Sequence, residues 1–256
     1  MKRSTWVVMV LSFLLIVGQA AIWADGTTVA KDKAAETTVA KGEQDSSHKL
    51  CLKFDEGQGR LVKDSSLNNI GIAKGGTKWT SGDYGTALEF DGEDGCVRLS
   101  KPVDLGDGSR SIEVWFAPAT VAKAETCLFG NLVASPAPNT LGYCLNVQRA
   151  RIVFQFANKE GRVVMIPSKA VTPGEWYHAV AIYDKQAEEI SLYVNGEEAG
   201  RRKVSGHKPS PYAEAVACNG VSNCWYYAGI IRQVNAYSRA MSVTEIVTNY
   251  AAGISK

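Results

Sequence analysis

Short runs that alternate apolar and polar residues, each closed by Gly, Asn, Asp or Pro, recur from Lys49 onward. Leu50, Leu52 and Phe54 alternate with Cys51 and Lys53, and Ile112, Val114 and Phe116 with Ser111, Glu113 and Trp115. Ile152, Phe154 and Phe156 keep the same period, as do Trp176, His178, Val180 and Ile182, and then Ile190, Leu192 and Val194. A period of two places every second side chain on one face of an extended backbone, so these runs read as strands with one greasy face. Many such strands with turn residues between them predict an all-β fold, an antiparallel two-sheet sandwich or jelly roll. Asn195-Gly196 between two of the runs predicts a tight hairpin, because a type I′ turn needs positive φ at both positions. Only the C-terminal end reads as a short helix. Ser242-Val243-Thr244-Glu245 forms a capping box, Ile246 and Tyr250 share a face, and Gly253 offers a stop.

The N-terminal part differs in kind. Lys2 and Arg3 precede an apolar run, Val7 to Val17, followed by small residues, so residues 1–24 read as an export signal cleaved after Ala24 or Ala20. The run is shorter than the roughly 20 residues a spanning helix needs, so no membrane span is expected after cleavage. Residues 25–48 contain the imperfect repeat TTVAKDKAAE/TTVAKGEQDS with almost no large apolar side chain, the composition of a flexible linker. Residues 49–256 form the domain. The 28 basic side chains outnumber the 26 acidic ones only by Lys2 and Arg3, which the signal would remove. That balance argues against nucleic acid as a partner. The expected location is secreted, periplasmic or cell-surface.

Six cysteines in an exported chain predict disulfides rather than metal thiolates. Local spacing suggests Cys218–Cys224 across a short polar loop and Cys127–Cys144 between two apolar runs; Cys51–Cys96 is left by elimination.

The segments LKFDEGQGRLVKDSS, WTSGDYGTALEFDGEDGCVRL, RSIEVWFAP, GEWYHAVAIYD, SLYVNGEE and GIIRQVNAYSRAMSVTEI occur in an order and at spacings that carry a resemblance. Over about residues 50–250 the chain resembles the laminin-G-like jelly roll of the concanavalin A-like lectin/glucanase superfamily. The resemblance implies two facing antiparallel sheets, and a role in binding carbohydrate or protein at a cell surface or as an accessory module. The same sandwich hosts lectins and hydrolases, so function has to be argued from sites.

Three sites are candidates. Glu89, Asp91 and Glu93 on one extended strand would project to one face, and two of them would suit a retaining glycoside hydrolase of laminarinase type. Against this, Asp91-Gly92 and Asp94-Gly95 favour a turn that scatters the carboxylates. The loop Asp64-Ser65-Ser66-Leu67-Asn68-Asn69 offers oxygen ligands, Asp64, Asn68 and Asn69 among them, for a calcium ion. Two departures from the family pattern weigh against the ion: Leu67 stands where the family commonly has Gly, and Arg232 where it often has Asp. Arg232 is instead expected to pair with a carboxylate such as Asp64, unless Asp64 simply caps its own turn. Trp79, Tyr84, Trp225 and Tyr226 lie in or beside loops and could stack on sugar rings, while Tyr227 is expected to turn inward. His178 reads as a satisfied core histidine, and His48 and His207 as residues of mobile polar segments. The leading expectation is a non-catalytic binding module for a glycan or surface protein. A hydrolase using Glu89 and Glu93, and a structural envelope component, are the alternatives.

Overall fold

The computed structural model describes residues 45–255, apart from Asp83 and Asn223. The expected signal peptide and nearly all of the expected linker lie outside the described residues. The last linker positions prove to be part of the domain: Asp45 pairs with Arg239 at 3.0 Å, and the His48 ring stacks on Tyr237 at 4.4 Å.

Two antiparallel sheets of eight strands each face one another. The first contains β1 (His48–Leu52), β4 (Thr77–Gly82), β5 (Gly85–Asp91), β7 (Arg110–Pro118), β12 (Tyr177–Asp184), β13 (Glu189–Val194), β14 (Glu197–Lys203) and β16 (Ala228–Tyr237). The second contains β2 (Leu61–Lys63), β3 (Ile70–Lys74), β6 (Cys96–Leu99), β8 (Thr126–Gly130), β9 (Tyr143–Gln148), β10 (Arg151–Ala157), β11 (Val163–Ala170) and β15 (Ala215–Val216). Spatial order in the first sheet runs β14-β13-β12-β7-β16-β5-β4, with β1 also paired to β16; in the second it runs β11-β10-β9-β8-β15-β6-β3-β2. The expected Asn195-Gly196 hairpin joins β13 to β14, with φ of 52° and 81° at its two central residues.

The main core lies between the sheets. Ile112, Val114 and Phe116 from β7, and Ile231, Val234 and Ala236 from β16, meet Leu145, Phe154, Phe156 and Val216 of the other layer. Tyr227 also turns inward, its ring edge-on to Phe116. One expected face is reversed. Tyr177, Ala179, Ala181 and Tyr183 face this core, whereas His178, Val180 and Ile182 point away from it. The reason is a second apolar layer: α1 (Val243–Ile254) lies across the outer face of the first sheet, and its Ile246 packs with Val180, Ile182, Tyr193, Tyr237 and Met241. β12 is therefore buried on both sides, and alternation cannot tell which face is the core.

The helix begins as expected, with Ser242 Oγ accepting from Glu245 N and Ser242 N donating to the Glu245 carboxylate. Gly253 does not stop it; the helix continues to Ile254. Its role is clearance, because a Cβ there would lie 2.0 Å from Trp115 Cζ2. Among the described residues no helix is long and apolar enough to cross a membrane. Overpacking of this kind costs about 1–3 kcal/mol. Gly253→Ala should therefore lower unfolding stability by about that amount in a denaturant titration, and the loss should vanish when Trp115 is also truncated to Leu.

Candidate functional site

A cleft of about 660 Å³ opens on the outer face of the first sheet beside the end of α1. Its floor follows from strand pairing. β16 pairs with β7 along one side, but on its other side the partner changes. Ile231 is the last residue opposite β5, and Val234 the first opposite β1. At this fork the register against β7 also slips, with Ile231 opposite Phe116 and Gln233 opposite Trp115. Arg232 is the extra residue of that bulge, and such an insertion re-aims a side chain.

Arg232 is 7% exposed. Its guanidinium sits 4.6 Å from the centre of the Trp115 ring, 5.4 Å from Tyr84 and 5.8 Å from Trp176. Burial pushes its ionisation below the usual guanidinium value. Its one hydrogen bond is a long one, Nη1 to the Gly253 carbonyl at 3.4 Å, and among the described residues its buried Nε has no partner. The expected pairing with Asp64 does not form. Asp64 Oδ1 instead accepts from Cys51 N, Ser66 N and Ser66 Oγ, and Oδ2 accepts from Asn68 N.

A second polar group fixes the floor. The Glu113 carboxylate, 2% exposed, is 2.7 Å from His178 Nε2 and accepts from Asn235 Nδ2 at 2.8 Å and Asn249 Nδ2 at 3.0 Å. Burial alone would raise its pKa, but these donors hold it below the usual value. His178 is accordingly a core histidine, although its Nδ1 has no partner among the described residues. Asn249 ties α1 to the sheet through Glu113.

The remaining candidates fall elsewhere. Asp91 ends β5, and its Oδ1 accepts from the backbone N–H groups of Glu93, Asp94 and Gly95, while Gly92 takes φ of 79°. The chain leaves the strand there, so Glu89, Asp91 and Glu93 do not form one row; all three are exposed, and none lines this cleft. Asp64, Asn68 and Asn69 share a loop, but the Asp64 oxygens face donors and Asn69 Oδ1 accepts from Ser100 N and Oγ. A shell of N–H and O–H donors is the wrong environment for a cation, so these residues do not fit calcium. Leu67 does adopt the left-handed conformation that glycine would favour, with φ of 63°. Of the four candidate stacking rings, only Tyr84 borders the cleft. Trp79 packs on the main core and donates Nε1 to the Gly59 carbonyl, Trp225 packs on Cys127, Leu132 and Cys144, and Tyr226 on Cys96, Ala215 and Cys218.

A family model described as the concanavalin A-like lectin/glucanases superfamily (Laminin_G_3) matches residues 91–247. The chain belongs to this superfamily. Among curated proteins, none matches its sequence. Solved structures with the same superfamily sandwich include the binding domain of Paraclostridial Mosquitocidal Protein 1, at 15% identity and a TM-score of 0.65, covering 80% of this chain and 52% of that one. The binding domain of botulinum neurotoxin serotype D is similar, at 14% identity and a TM-score of 0.62, with 80% and 52% covered. Domain 4 of AbnA, an extracellular GH43 arabinanase from Geobacillus stearothermophilus solved with arabinotriose, matches at 18% identity and a TM-score of 0.54. That match covers 78% of this chain and 97% of that one. The chain thus spans about half the length of the toxin fragments it matches. At these identities the likeness shows the fold alone.

Within this superfamily sandwich the cysteines are arranged differently from the spacing-based expectation. Cys127 and Cys144 do face each other across β8 and β9, their sulfurs 2.9 Å apart. Cys218 instead hydrogen-bonds Cys96, which holds the Cys96 thiol at about 6, with Arg98 assisting. Cys224 Sγ lies 2.9 Å from Ser222 Oγ, and Cys51 contacts the Ser65 side chain. Among the described residues no bond joins Cys218 to Cys224 or Cys51 to Cys96. Peptide mapping of oxidised protein should recover Cys127–Cys144 and Cys96–Cys218 links, with Cys51 and Cys224 carrying the alkylating label.

His207 is no mobile residue. It stacks on Phe156 at 4.4 Å, and burial together with Arg110 lowers its pKa from 6.5 to about 3. Below pH 6.5 the unfolded chain takes up a proton that the folded one refuses, so stability falls with pH by up to about 1.4 kcal/mol per unit. Thermal melting should decline between pH 6.5 and 4.5, before ordinary carboxylates titrate, and His207→Gln should flatten that part of the profile.

Proposed function

We propose that the domain is a non-catalytic module of an exported protein that binds carbohydrate through the cleft beside α1. The observation that carries this reading is the lining of that cleft. Tyr84 and Trp176 are half-buried rings beside it, and Ser66, Thr86, Gln233, Asn235 and Asn249 supply hydroxyl and amide groups around it. Aromatic faces with neutral hydrogen-bonding groups suit a ring that is apolar on its face and hydroxylated at its edge. The superfamily membership agrees with this role, as does the arabinotriose in the related sandwich. The catalytic alternative finds less support, because Asp91 is committed to its turn and Glu89 and Glu93 lie outside the cleft. A surface-protein ligand or a purely structural role in the cell envelope are outcomes that the same experiment separates.

The test is a glycan array probed with the full chain, followed by a reducing-sugar assay on β-glucans. The expected result is a restricted set of bound glycans, binding lowered about tenfold or more by Tyr84→Ala, and no sugar released. Glu89→Gln should leave binding unchanged. Sugar release that Glu89→Gln abolishes would establish the hydrolase instead. A silent array from folded protein would overturn glycan recognition and leave the protein-binding and structural roles.

A further inference from the structure

The proposed cleft also holds a charge that its hydroxyl and amide groups do not explain. Arg232 is a buried cation for which the described residues provide no carboxylate. A buried charge is costly unless it is paired and hydrogen-bonded. Three aromatic rings offset part of that cost. They leave the in-plane N–H groups without acceptors beyond the long contact to Gly253. The bulge that places Arg232 on the outer face, at the fork between β5 and β1, also points it into the cleft beside α1.

From this arrangement we infer that the cleft takes an acidic saccharide, with the carboxylate of a uronic-acid-type sugar on the Arg232 guanidinium and its ring against Tyr84 and Trp176. This rests on the reading of the domain as a carbohydrate-binding module. A carboxylate matches the planar fork of the guanidinium. The number of charges selects it over a phosphate monoester. The cationic Arg232 and Lys53 are balanced by Asp55 and Glu113 on the same cleft, and Glu113 is already saturated by its three close donors. One further negative charge is accommodated beside Arg232, whereas a dianion would face both carboxylates. The rings and amides favour a sugar over a bare anion, since neither acetate nor an inorganic ion would use them.

The experiment titrates the full chain with glucuronate and galacturonate, each against its neutral parent sugar, and with acetate and inorganic phosphate. Affinity is read by calorimetry, and contact by the NMR signal of the Arg232 Nε–H. At least one uronate should bind about tenfold or more tightly than its neutral parent, the margin expected of a charge-assisted hydrogen bond. That uronate should also outbind acetate and phosphate and shift the Arg232 Nε–H signal. Arg232→Gln should abolish the preference while Glu89→Gln retains it. Should Arg232→Gln melt early, the signal shift in the unaltered protein decides the matter alone. Equal affinity for acid and neutral sugar, phosphate binding as tight as uronate, or an Arg232 signal that stays still would overturn the inference. In the first of these cases neutral glycan binding persists and the module reading stands; loss of all saccharide binding overturns both.

Discussion

The arrangement depends on β7 being buried along its whole length. Its inward residues, Ile112, Val114 and Phe116, belong to the core between the sheets, as in any sandwich. Its outward residues are unusual for a surface. Without α1, Glu113 would keep His178 and Asn235 but lose its third close donor, and the indole of Trp115 would lose its cover. The helix answers both, with Asn249 donating to Glu113 and Tyr250 and Gly253 covering Trp115. Burial on this side follows from the polar network as much as from grease, since a carboxylate is retained there only if its lone pairs are filled.

The cleft lies where the sharing of β16 changes. β16 exchanges β5 for β1 within a few residues, and the bulge at Arg232 sits at the exchange. The same irregularity places Arg232, one of the charges of the cleft, at that point. Trp115 links this to the helix, because its ring touches Arg232 on one side and Gly253 on the other.

Much of the architecture was readable from local pattern, since alternation, the Asn195-Gly196 turn and the Ser242–Glu245 box are each decided within a few residues. What failed was non-local. The face of β12 could not be assigned because a distant helix buries its second side. Cys218 was matched to its sequence neighbour, although its partner, Cys96, lies on a strand more than a hundred residues earlier. Arg232 does not make the expected pair with Asp64, because a single inserted residue in a strand leaves no mark in the residue pattern. Trp115 and Trp176 both read as ordinary positions of alternating strand runs, and nothing in either run announces that both rings, with Tyr84, converge on one guanidinium.

The cleft's floor and rim belong to different parts of the fold. Arg232, Glu113 and Trp115 are anchored in paired strands and share contacts with the helix, so exchanging any of them disturbs the sandwich. Lys53 and Asp55 stand at its mouth on exposed chain outside the paired strands, and Thr86 is half-exposed at the start of β5. Redesign of selectivity can therefore proceed at the mouth alone, and libraries varied at those three positions would sample new recognition without taxing the fold that presents it.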